Sequence, residues 1–64
     1  MNLEQIAQQA MDYLDSVGVA AEYDIKYMFL VVRTGNHEFS VACDGCRTDF
    51  MNSIASIYPQ KSPG

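Results

Sequence analysis

Two cysteines stand three positions apart in Cys43-Asp44-Gly45-Cys46. A CxxC pair just ahead of a helix is where redox thiols sit, because a helix N-terminus stabilises a thiolate. The neighbours here work against that chemistry. No βαβ pattern surrounds the motif, Asp44 places a carboxylate between the thiols, and Arg47 is the one cation close by. A zinc site of this type needs a second pair of ligands. His37 is the single histidine, six residues from Cys43 along one predicted strand. At ~3.3 Å per residue the two are about 20 Å apart. Two such pairs from a dimer would make a four-cysteine site, which nothing in the sequence requires. The expectation is therefore structural cysteines, Cys43 buried and Cys46 in a loop, with no metal and no cofactor. Cys43 and Cys46 are the candidate pair for the alternative, a thiol redox or metal-linked protein.

Other catalytic constellations are missing. His37 has no nucleophile or orienting carboxylate on its own strand face, since Glu38 points the other way. Gly18, Gly35, Gly45 and Gly64 form no phosphate-cradling loop. The serines lie in no elbow motif. A chain of 64 residues also has little room to enclose a pocket of several hundred Å³ beside its own core. These observations together predict a protein that is not an enzyme.

Three elements must position whatever this chain uses. Leu3, Ile6, Ala7, Ala10, Leu14 and Val17 recur at helical spacing. Asn2 is placed to cap that helix with Gln5 in capping-box position, and Gly18 to end it. The run Ala21–Thr34 is rich in β-branched and aromatic residues and reads as one strand. Gly35-Asn36 supplies a two-residue turn, and His37–Cys43 the return strand. Partners then sum to 71: Val32 with Phe39, Leu30 with Val41, Met28 with Cys43, all on one apolar face. Arg33 meets Glu38 on the other. A second helix begins near Thr48 or Asp49, carries Phe50, Ile54, Ile57 and Tyr58 inward, and stops at Pro59. The predicted fold class is α+β: a small α-β-β-α domain over 1–59, an antiparallel hairpin packed by two helices, with a flexible tail over 60–64. Dimerisation would extend the hairpin to a four-stranded sheet.

Charge and size narrow the function. Eight acidic against four basic residues leave a net charge of −4, which opposes direct binding to nucleic acid. No apolar run approaches a membrane span, and Met1-Asn2-Leu3-Glu4 has no basic leader pattern, so the expected location is cytoplasmic. A core this small returns barely more free energy than its ordering costs, which calls for a partner or a second copy. Tyr23, Ile25, Tyr27, Phe29 and Val31 alternate along the first strand, opposite the face assigned to the helices. Five large apolar side chains in a row exceed the scattered exposure of a soluble monomer. Glu22 and Asp24 flank them, with Asp12 and Asp15 on the preceding helix, as a rim suited to a basic protein partner.

At this size and charge, a helix followed by a hairpin and a second helix resembles small secretion chaperones. It is also similar to the small acidic inhibitors that phages use against host enzymes and immune complexes. The likeness is one of size, charge and element order, and it carries no residue roles. The expected function is a small acidic, non-enzymatic protein-binding module, a homodimer that acts by occupying a partner's surface, most concretely as a phage-type inhibitor. The alternatives are the thiol protein above, a secretion-chaperone-like adaptor and an acidic nucleic-acid decoy.

Overall fold

The computed structural model describes residues 2–42 and 46–60. Helix α1 spans Leu3–Ser16, and strands β1, β2 and β3 span Ala21–Lys26, Phe29–Thr34 and Glu38–Val41. Helix α2 spans Arg47–Ile57. The class is α+β, with the order α-β-β-β-α.

Helix α1 starts and stops where its side chains dictate. Asn2 Oδ1 accepts from the Gln5 N–H at 2.9 Å, and Gln5 Oε1 accepts from the Asn2 N–H at 3.1 Å, closing the capping box. At the other end Gly18 takes φ +78. Its N–H donates to Asp15 C=O, and the Val19 N–H donates to Leu14 C=O. These two bonds form a Schellman motif, which satisfies carbonyls the helix would leave unpaired. Helix α2 starts at Arg47 rather than at Thr48 or Asp49. Cys46 holds its N-cap position without a side-chain cap bond.

The long first strand is corrected by the structure. It folds back on itself at Tyr27-Met28, so the sheet is a three-stranded antiparallel meander in the order β1-β2-β3. The β2–β3 pairs are the expected ones, from Leu30↔Val41 to Arg33↔Glu38. The Met28–Cys43 pairing falls partly on Cys43, outside the described residues, and Met28 itself is in the new turn. The added hairpin pairs Ala21↔Thr34 through Lys26↔Phe29. A run of fourteen residues from Ala21 to Thr34 exceeds the usual strand length of roughly 3–10. Doubling back gives β2 a partner on each side.

Both helices lie on one face of this sheet. Ile6, Ala7, Ala10 and Leu14 of α1 meet Leu30, Val32, Phe39 and Val41 of the sheet and Phe50 and Ile54 of α2 in one buried cluster. Polar bonds fasten the edges of that cluster. Arg47 Nε donates to Gln9 Oε1 at 2.7 Å, tying α2 to α1. The Tyr13 hydroxyl donates to Tyr58 C=O at 2.7 Å, and the Tyr58 and Thr34 hydroxyls bond at 2.9 Å. Tyr58 thus ends α2 as a clasp, while Ile57, expected inward, is exposed. Among the described residues no helix is long and apolar enough to cross a membrane.

Candidate protein-docking surface

The turn between β1 and β2 decides where each candidate residue goes. A two-residue turn pairs residues whose numbers sum to 55, joining odd positions to even ones. Tyr23 and Ile25 therefore sit opposite Val32 and Leu30, on the helix side of the sheet. Ile25 packs against the core, whereas Tyr23, on the edge strand, stays about half exposed at 48%. Phe29 and Val31 point to the other face with Glu22 and Asp24. The five-residue stripe expected on one face is thus corrected: it divides between two faces and a turn.

The turn itself is the most exposed apolar feature among the described residues. Tyr27 is fully exposed, Met28 is 71% exposed and Phe29 54%. Tyr27 also takes φ +56, in the left-handed region that favours glycine and asparagine. A positive φ at the first central residue is the sign a type II′ hairpin turn needs, and glycine is the residue that usually supplies it. Beside the turn runs an open groove of about 480 Å³. Leu3 and Glu4 at the start of α1 form one wall, and Ile25, Tyr27, Met28 and Ala42 the other. Sequence reasoning missed Met28, which it assigned to the core face. The length of the Ala21–Thr34 run was the available signal.

Electrostatics on the outer sheet face differ from an acidic rim. Lys26 Nζ lies 3.8 Å from Asp24 Oδ2, and Arg33 Nε lies 3.8 Å from Glu38 Oε2. Glu22 stands opposite Arg33 in the register. Both signs are therefore interleaved around Glu22 and Asp24.

The chemical candidates are placed as follows. His37 is exposed and sets its ring edge-on to Tyr58, with centroids 5.7 Å apart. Its backbone C=O accepts from the Thr34 N–H at 2.8 Å, which closes the second hairpin. Cys46 is exposed, and Cys43, Asp44 and Gly45 lie outside the described residues. Among the described residues no three His, Cys, Asp or Glu side chains gather as a metal set would.

No family model, no curated protein and no solved structure matches this chain.

Proposed function

We propose that the chain is a non-enzymatic protein-binding module that docks through the β1–β2 turn. The observation that carries this reading is Tyr27, a fully exposed aromatic ring held at φ +56. Glycine there would fold more easily, and nothing in the core needs the ring. Strain of this kind persists where the side chain has a use outside the fold. Tyrosine and methionine are both enriched at protein interfaces. With Phe29 alongside, the turn presents a continuous apolar knob that fits a concave apolar site on another protein. The net charge of −4 favours partners with a basic surround, where complementarity speeds encounter. Inhibition by occupying that site, as a phage-type inhibitor would, is the most concrete form of this activity.

The test is comparative capture from the organism that encodes the protein, with wild type and Tyr27→Gly side by side. A protein retained by wild type and lost with the variant supports the reading. Equal capture by both contradicts it.

The alternative is thiol chemistry at Cys43 and Cys46. The observation for it is that exposed Cys46 occupies the N-cap position of α2. Thiol titration with and without reductant separates the two, since unreactive thiols remove the alternative.

A further inference from the structure

Among the described residues, strand β1 is the first strand of the sheet and pairs with β2 alone. Its outer edge has a defined set of backbone groups. The Thr34 N–H donates across to His37 C=O at 2.8 Å, so Thr34 turns its backbone toward β3 and away from Ala21. Alternation along an antiparallel pair then directs the N–H and C=O of Ala21, Tyr23 and Ile25 outward, and those of Glu22, Asp24 and Lys26 toward β2. Such an edge is a template for another strand unless its side chains repel one.

The side chains of β1 do not repel every strand. Their charges run Glu22, Asp24, Lys26 on one face, and this order is self-complementary when two copies run antiparallel. We infer that a second copy of this chain pairs along β1, centred on Asp24, to make a six-stranded sheet. In that register Glu22 of each copy faces Lys26 of the other, and Tyr23 faces Ile25. Both Tyr23–Ile25 pairs use outward-directed backbone groups, and their side chains lie on the helix side, where Tyr23 is 48% exposed. Centring on Tyr23 would instead set Glu22 against Asp24 twice. Centring on Ile25 would pair Asp24 to Lys26 twice, but the two strands would overlap only over residues 24–26, against 22–26 in the register centred on Asp24. The favoured register has one like-charge contact, Asp24 against Asp24 at the two-fold axis. Each of those carboxylates has its own Lys26 ammonium 3.8 Å away.

This inference uses the β1 edge and is independent of docking through the turn. The experiment is sedimentation equilibrium of the full chain over a concentration series at low salt. Wild type should show a monomer–dimer equilibrium. Asp24→Asn, which removes the contact at the axis, should tighten it by about threefold, and Lys26→Glu should weaken it by about tenfold. Glu22→Lys with Lys26→Glu exchanges the two partners and should restore association to near the wild-type value. Tyr23→Pro removes an outward N–H, a change edge strands tolerate, and should leave a folded monomer by circular dichroism. A wild type that stays monomeric at millimolar concentration overturns the inference. So does a dimer that Lys26→Glu and a folded Tyr23→Pro both leave intact.

Discussion

Tyr27 is where the chain departs from what folding alone would select. A non-glycine residue in the left-handed region costs on the order of 1 kcal/mol. Tyr27 takes φ +56 with its ring fully in solvent, so no burial offsets that cost. Tyr27→Gly should therefore stabilise the hairpin by up to about 1 kcal/mol. In a domain of this size that is a rise in melting temperature of about 4–8 °C, readable by thermal circular dichroism. An unchanged or lower melting point would mean that the ring supports the fold. Tyr13 and Tyr58 show the contrasting use of the same residue type. Their hydroxyls bond Tyr58 C=O and Thr34 Oγ1, fastening α1, α2 and β2 together.

At the scale of elements, α1 was legible in its sequence because several independent signals agree. The apolar spacing, the Asn2–Gln5 pair and Gly18 all specify the same boundaries, and the capping box and Schellman bonds form there. Asn2→Ala opens the box and should cost about 1 kcal/mol, measurable as a lower midpoint in urea with little change in slope. The second hairpin was legible for a similar reason, since Gly35-Asn36 is turn chemistry between matched apolar positions. The first hairpin was not. Lys26-Tyr27-Met28-Phe29 contains no glycine, proline, asparagine or aspartate, so its turn has no compositional mark. Missing it inverted the parity of β1, which moved Tyr23 and Ile25 to the wrong face in the sequence reading. The candidate surface was legible as a set of exposed aromatics near residues 23–31, but its centre at Tyr27-Met28 depended on that unmarked turn. The start of α2 was blurred because Cys46 caps it without a side-chain bond.

The whole molecule is one layer of sheet under one layer of helices, with ten buried apolar residues as its described core. A core this small leaves little margin. Leu30 is fully buried on β2, the central strand of the sheet. Leu30→Ala should cost about 2–5 kcal/mol, enough to unfold much of the population at room temperature, with loss of far-ultraviolet ellipticity as the readout. Retention of a sharp, wild-type-like transition would show a more robust core than this architecture implies. The same economy gives the outer face and the turn their meaning. With both helices on one side, Phe29 and the Tyr27-Met28 turn are left exposed among the described residues.

The central claim is that this turn binds another protein. Quantitative capture with wild type and Tyr27→Gly, from the organism that encodes the chain, tests it most directly. At least one protein should be held by wild type and lost with the variant, which is folded and more stable. Identical capture by the two proteins would contradict it.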